Sequence, residues 1–400
     1  MDITFQINFT GNGNGSTFDI YQDSDNYSVA VYTNQAYSTY STQQTLTGIS
    51  PFTKTIRLVD SGPCNVYRDL HINFNDPTPS ITTLLDHAVL AKQYSLVSNG
   101  KDEVFAGRSL NTTLYLTKST DNGLTWGSEI TVPNAWASGG TNNSYDFGAS
   151  MVFDGTYYYA CNYWSTGIAK FDSSGTLIEQ ISLGLAISGI YNIHYINKKF
   201  YAFVVNSTSG NLELLRGNSF DQMTSLITAS ASYFEYANEN MICNYGQVLY
   251  MSNGNQLYKS TDNGSSWVIT YSPGATSSIK SMLIGNDENE IYLSVGYAGN
   301  YYIRKSSDGG STFSDLISVA SAEAHAADLY RRADIVFFAW NDQFRWVLKS
   351  QLDLGNQGVS LAPLNDVNGI NIHALCNKEN IICVRPEASK ITTFRYSVTT

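Results

Sequence analysis

Charge is scarce in this sequence. Only 14% of its 400 residues are Asp, Glu, Lys or Arg, and 23 basic residues stand against 34 acidic ones, for a formal net charge of −11. No local cluster of Lys and Arg stands out. Neutralising phosphate requires such clusters, so nucleic acid and anionic membrane are excluded as main partners. Cysteine is also rare. The five, Cys64, Cys161, Cys243, Cys376 and Cys383, are odd in number and show no CxxC spacing, which argues against a zinc site or a disulfide framework. Only Cys376 and Cys383 flank a turn, "NKEN", across which they are placed to face each other. Proline occurs eight times. The opening "MDITFQINFT" lacks a basic n-region and alternates in strand fashion, so it reads as neither a signal peptide nor a membrane span. Synthesis in a cytoplasm without a standard secretion route is the expectation.

What is abundant is apolar and aromatic: 42% of residues are apolar and 28 are Tyr. With so little proline, that composition favours many short strands and an all-β fold. One stretch then organises the chain. "KSTDNGLTW" at Lys118–Trp126 returns as "KSTDNGSSW" at Lys259–Trp267 and as "KSSDGGSTF" at Lys305–Phe313. The first interval, 141 residues, is about three times the second, 46, so two degenerate copies are expected between them. "GIAKFDSSGTL" and "LELLRGNSFDQ" supply Lys170 and Arg216, and further on "RWVLKSQLD" and "TTFRYSV" supply Lys349 and Arg395. Seven registers result, at 118, 170, 216, 259, 305, 349 and 395, each a basic residue after an apolar or aromatic run. A period in the forties with several short strands per unit predicts a seven-bladed β-propeller.

Each unit reads as four strands, with the repeated loop joining the third to the fourth. The first inner strand is placed at "HAVLAKQYS". The last unit has three strands, "NIHALCN", "NIICVRP" and "TTFRYSV", before the chain ends at Thr400. An open strand edge invites aggregation, so a strand from elsewhere should complete the unit. "PSITTLL", near 79–85, is predicted to pair with Thr392–Val398 and close the ring. Residues 1–72 fall outside the repeat. Their six alternating segments between Gly, Asn, Asp and Ser clusters predict a β-sandwich, an attachment domain by analogy, leaving 73–400 for the propeller.

The repeated loop resembles the Asp box, Ser-x-Asp-x-Gly-x-Thr-Trp/Phe, of sialidases and other propeller families (BNR repeats). The resemblance implies a structural turn on the blade periphery. Asp121, Asp262 and Asp308 would accept hydrogen bonds from their own turn; Gly123, Gly264 and Gly310 would supply positive φ; Trp126, Trp267 and Phe313 would pack between sheets. A sialidase also requires three arginines on the substrate carboxylate and a Phe/Tyr-Arg-Ile-Pro motif. The nearest match, "VYRDLHI" at Tyr67 and Arg68, lacks Ile-Pro. Arg57, Arg108, Arg304, Arg331, Arg332, Arg345 and Arg385 offer no pattern that selects three.

Other chemistry is open but unselected. Asp86, Glu235, Glu239, Asp287, Glu288, Asp328 and Asp366 lie near inner strands, where a glycosidase pair about 5 to 10 Å apart would stand. Solvated turn carboxylates are the plainer reading. His71, His87, His194, His325 and His373 include four near inner strands, yet strand alternation gives no shared face. Trp136, Trp164, Trp340 and Trp346 suit either sugar stacking or blade cores. No residue is assigned as catalytic, cofactor-binding or metal-ligating, and no cofactor is expected.

The first 65 or so residues, from "FQINFTGNGNGSTFDIYQDSDNYSVAVYTN" to "TIRLVDSGPC", resemble N-terminal regions of virion proteins of crAss-like phages of Bacteroidetes. The resemblance implies a non-enzymatic virion protein of the tail or capsid. Residues 1–72 would contact other virion proteins, and the propeller would contact protein or host-surface glycan, with no nucleic acid and no membrane insertion. The alternatives are a glycoside hydrolase acting on host glycans and a free glycan-binding protein.

Overall fold

A computed structural model describes residues 3–5, 17–22, 27–40, 42, 44–47, 55–61, 67–71, 80–85, 95–110, 112–136, 147–162, 165–229, 241–274, 277–285, 287–297, 300–320, 328–332, 335–340, 343–348, 352–353, 359–363, 373–377, 380–386 and 391–397. The chain is all-β and divides into two compact units: residues 1–79 with 396–400, and residues 80–395.

In the N-terminal unit a four-stranded antiparallel sheet runs Ala30–Ala36, Thr17–Gln22, Thr55–Asp60, Tyr67–His71. Ile3–Phe5 pairs separately with Gln44–Leu46. Alternation decides the faces: Phe18, Ile20, Ile56 and Leu58 point into a core with Tyr40 and Leu46, while Arg57 points the other way. A short helical turn at Tyr37–Tyr40, which the strand pattern does not announce, seats Tyr40 edge-on against Phe18 at 5.2 Å.

The larger unit repeats one plan. Ser277–Ile284, Ile291–Tyr297, Asn300–Ser306 and Ser314–Ala320 form one antiparallel sheet in chain order. The sheets that start at Ile187, Ile242 and Asp328 are built alike. Earlier in the chain, Ser95–Ser98, Val104–Leu110, Thr113–Ser119 and Ile130–Val132 form such a set, joined to the set Phe147–Ser182 by the pairs Phe147 with Ser109 and Gly148 with Arg108. The first described strand here is Ser95–Ser98, so most of "HAVLAKQYS" lies outside the described residues.

The final sheet contains His373–Asn377, Asn380–Pro386 and Ile391–Ser397, and its fourth strand is Ser80–Leu85. Leu85 stands opposite Ile391 and Ser80 opposite Arg395, so the pairing expected from the unfinished last unit is present. First strands neighbour one another along the chain: Ser277–Ile284 lies against Asp328–Arg332, that strand against His373–Asn377, and His373–Asn377 against Ser95–Ser98.

Because sheets stack face to face, both faces of a middle strand are covered. Every residue of Tyr158–Asn162 is buried. Phe105, Trp136, Tyr158 and Phe171 fill the space between the first two sheets, and Tyr250, Leu257, Ile279 and Leu293 fill a later one. Large aromatics bury the most area per residue, which is why a Tyr-rich sequence suits this packing.

Candidate functional site

The three near-identical loops fold identically. In the first, Asp121 Oδ1 accepts the backbone N–H groups of Leu124 (3.0 Å) and Thr125 (2.8 Å), and Oδ2 accepts the Thr125 hydroxyl (2.6 Å). Ser119 Oγ donates to Asp121 Oδ1 and accepts from Gly123 N, both at 2.8 Å. Asp262 and Asp308 repeat the set through Ser260, Ser265 and Ser266 and through Ser306, Ser311 and Thr312. Left-handed backbone closes the turn: Asn122 and Gly123 at φ 58° and 81°, Asn263 and Gly264 at 56° and 81°, Gly309 and Gly310 at 71° and 86°. Hydrogen bonds from Ser266 and Thr312 hold the Asp262 and Asp308 carboxyls well below the usual carboxylate range. For Asp121, burial pushes upward, but bonds from Thr125 and Ser119 outweigh it and its pKa is lowered.

The second and third of these loops dock on the preceding sheet. Tyr201 OH donates to Asn263 O (3.3 Å), and a Cβ added at Gly264 would lie 2.5 Å from that hydroxyl. Arg216 Nη1 donates to Ser265 Oγ at 3.2 Å. One sheet later, Tyr250 OH donates to Glu288 O (2.8 Å) and Gly309 O (3.1 Å). Trp267 packs into the cluster around Tyr201 and Met251, and Phe313 into the one around Tyr250.

The basic register shares in this docking. Lys118 stands opposite Phe105, Lys170 opposite Tyr159, Arg216 opposite Tyr201, Lys259 opposite Tyr250 and Lys305 opposite Tyr292. Lys118, Lys259 and Lys305 place Nζ 5.3 to 5.6 Å from the opposing ring centroids, within cation–π range. Several then reach the next corner. Lys118 Nζ binds Glu103 Oε1 (2.5 Å) and Ser173 O (2.6 Å), and Lys305 Nζ binds Glu290 Oε1 (2.9 Å) and Asp353 Oδ2 (2.7 Å). Glu103 and Glu290 each sit two residues before the opposing aromatic. Lys349 lies outside the described residues.

In two of the copies where the loop motif has decayed, an acid persists. Asp172 Oδ1 accepts Ser174 N (2.8 Å), Ser174 Oγ (2.6 Å) and Thr176 N (3.0 Å); the Ser174 bond lowers its pKa first, against the upward push of burial. Asp353 reaches back to the Tyr292 hydroxyl at 2.8 Å. Sequence matching missed both because each is offset by one residue from the box position. The two-letter cue, a basic residue with an acid two to four places on, would have found them.

The remaining candidates do not converge. Asp287 Oδ1 accepts Asn289 N and Glu290 N and so serves its own turn. Asp86, Glu235, Glu239 and Asp366 lie outside the described residues, as do His87, His325 and Trp164; Asp328 and Trp340 are placed on strands. Trp136 is buried in the first core. His194 packs edge-on to Phe203. Arg108 pairs with Glu129 at 3.0 Å, Arg304 with Asp315 at 2.6 Å and Arg57 with Asp69 at 2.8 Å. Strand register sets Cys383 opposite Ala374 and Cys376 opposite Ile381, so the two cysteines are diagonal rather than facing. Among the described residues no group of three His, Cys, Asp or Glu is arranged to hold a metal ion.

No family model matches the sequence, and no curated protein matches it. Solved structures do. The Dos1 propeller aligns with TM-score 0.51 at 11% identity, covering 78% of this chain and 94% of that one. An oligogalacturonate lyase in complex with manganese aligns with TM-score 0.52 at 8% identity, covering 80% and 96%. A streptogramin B lyase aligns with TM-score 0.51 at 10% identity, covering 81% and 100%. At such identities the likeness is one of fold alone: the larger unit is a β-propeller.

Proposed function

We propose that residues 73–400 form a seven-bladed β-propeller whose last blade is completed by Ser80–Leu85, with Asp boxes at the corners. Residues 1–72 form a β-sandwich attachment module. The protein is a non-enzymatic component of a phage virion, in tail or capsid, that presents its propeller to protein or host-surface glycan.

The observation that supports this reading is the use of the repeated charges. Lys118, Arg216 and Lys305 end on the corner of the next sheet, so the most repeated polar positions hold the scaffold together. Corner loops and first-to-second turns share one rim, as the bond from Gly309 N to Asn289 O (3.0 Å) illustrates. That leaves the loops of the opposite rim free to vary, and loops on a rigid scaffold carry binding.

Cryo-EM of the assembled particle, with a glycan array and glycosidase assays on the full chain, tests the proposal. Density for the chain in a virion, with no turnover, supports it. Turnover that disappears on changing one inner-strand carboxylate replaces it with a glycoside hydrolase.

A further inference from the structure

The outer face of the N-terminal sheet carries an arrangement that the propeller does not explain. Arg57 lies between two aromatic rings, with Cζ 4.0 Å from the Tyr27 centroid and 4.1 Å from the Tyr67 centroid. Asp69, directly opposite on the next strand, fixes the guanidinium from the side: Nε donates to Oδ1 and Nη2 to Oδ2, both at 2.8 Å. Tyr27 holds its place at φ 58°, a left-handed conformation uncommon for a bulky residue, with its N–H bonded to Gln22 O at 3.1 Å. Backbone strain of this kind persists where surroundings over-determine it, and it concentrates at functional positions. Tyr67 ends the stack and is 55% exposed.

The stack is therefore held by a bidentate pair, aromatic at Tyr67, and edged by polar groups. Bidentate pairing to Asp69 uses one side of Arg57 and leaves Nη1, which makes no hydrogen bond among the described residues, as a donor beside the ring. An exposed aromatic face with a fixed donor at its margin fits a pyranose, whose C–H face stacks while its hydroxyls accept hydrogen bonds. Charge narrows the choice. Asp69 cancels Arg57 locally and the chain carries −11, so an acidic sugar gains nothing here. Among the described residues of this unit, only Val29 and Tyr67 are large exposed apolar side chains.

We propose that Tyr67, backed by Arg57, Tyr27 and Asp69, forms a subsite for a neutral pyranose. The proposal stands on the N-terminal unit alone and goes beyond its reading as an attachment module.

Saturation-transfer NMR on the full chain tests it, with glucose, galactose, mannose and N-acetylglucosamine, and with glucuronate and N-acetylneuraminate as acidic counterparts. Transfer to at least one neutral sugar is expected, with affinity near the millimolar range typical of a single contact. Tyr67→Phe should retain it within about threefold, and Tyr67→Ala should weaken it about tenfold or more, as loss of one stacking contact of roughly 1.4 kcal/mol requires. The melting temperature of Tyr67→Ala should fall by no more than a few degrees, since the half-exposed ring gives up only its cation–π contact with Arg57. No transfer to any neutral sugar overturns the proposal. So does wild-type binding by Tyr67→Ala, or preference for the acidic sugars, or a protein ligand whose binding requires Tyr67 in the absence of sugar binding.

Discussion

Lys305 and Asp353 stand 48 residues apart in sequence, about one repeat, and their Nζ and Oδ2 atoms meet at 2.7 Å across the boundary between two sheets. Glu290 shares the ammonium at 2.9 Å, and the Tyr292 hydroxyl bonds both carboxylates. The contact shows what Lys305 does, as Lys118 and Arg216 do in earlier sheets: it ties its own sheet to the corner of the next.

Replacing Lys305 with Met leaves Glu290 and Asp353 facing each other in a largely buried place. Breaking such a network costs about 2 to 3 kcal/mol, and urea unfolding at pH 7 should register it. Burial lowers the Lys305 pKa, but bonds to Asp353 and Glu290 raise it more, and the net shift is upward. A raised folded pKa stabilises fully below the unfolded value of about 10.4 and ceases to do so as pH rises through the folded one. The wild type should therefore lose this increment only above about pH 10, and the variant should lack that alkaline phase.

Tyr292→Phe and Tyr250→Phe remove hydroxyls from fully buried rings while keeping their packing. Tyr292 bonds charged groups and should cost about 2 kcal/mol, whereas Tyr250, which bonds two carbonyls, should cost about 1. Denaturant midpoints rank the two, and the reverse order contradicts the greater strength of the Tyr292 bonds to carboxylates.

Gly264 and Gly246 both have positive φ, but only Gly264 has a neighbour where a Cβ would go, the Tyr201 hydroxyl at 2.5 Å. Alanine at 246 pays the left-handed backbone cost alone, about 1 kcal/mol. Alanine at 264 should cost at least about 1 kcal/mol more, because the loop must lift from the preceding sheet. Equal losses would mean that the loop does not dock.

Acid should loosen all three corners. Depressed carboxylate pKa values contribute stability that is present above the unfolded value, about 3.9, and is lost as pH falls through the folded one. Asp262 and Asp308 are the most depressed, so melting temperature should decline from about pH 4 downward. In Asp262→Asn with Asp308→Asn the melting temperature should be lower at pH 7 and the acid slope shallower.

Truncation tests the shared sheet. A chain that begins at Ser80 keeps the strand opposite Ile391–Arg395, whereas one that begins at residue 86 leaves that edge open. Exposed edges template aggregation, so light scattering should rise for the shorter chain only.

Much of this was legible because repetition reports on local physics. A turn that needs Asp to accept its own N–H groups and Gly to adopt positive φ must keep those letters, so Asp121, Asp262 and Asp308 announced the corners. The unfinished last unit and the place of "PSITTLL" just ahead of the first inner strand likewise announced the pairing with Ile391–Arg395. Asp353 and Asp172 were not legible from the box spacing, since a side chain reaching from a differently spaced loop satisfies the same partner without preserving the motif. The facing of Cys376 and Cys383 failed for a related reason. A hairpin in sequence does not fix register, and the observed register sets Cys376 opposite Ile381 rather than Cys383.

The sequence by itself determined the all-β composition, the period and the chemistry of each corner, because these depend on residues within a few positions of one another. Only the tertiary structure decided that the loops at Asn263 and Gly309 rest on the sheet before them, that an aromatic ring faces Lys118, Lys170, Arg216, Lys259 and Lys305, and that Arg57 is held between Tyr27 and Tyr67. Those relations join residues tens of positions apart, where distance is set by how sheets stack rather than by spacing along the chain.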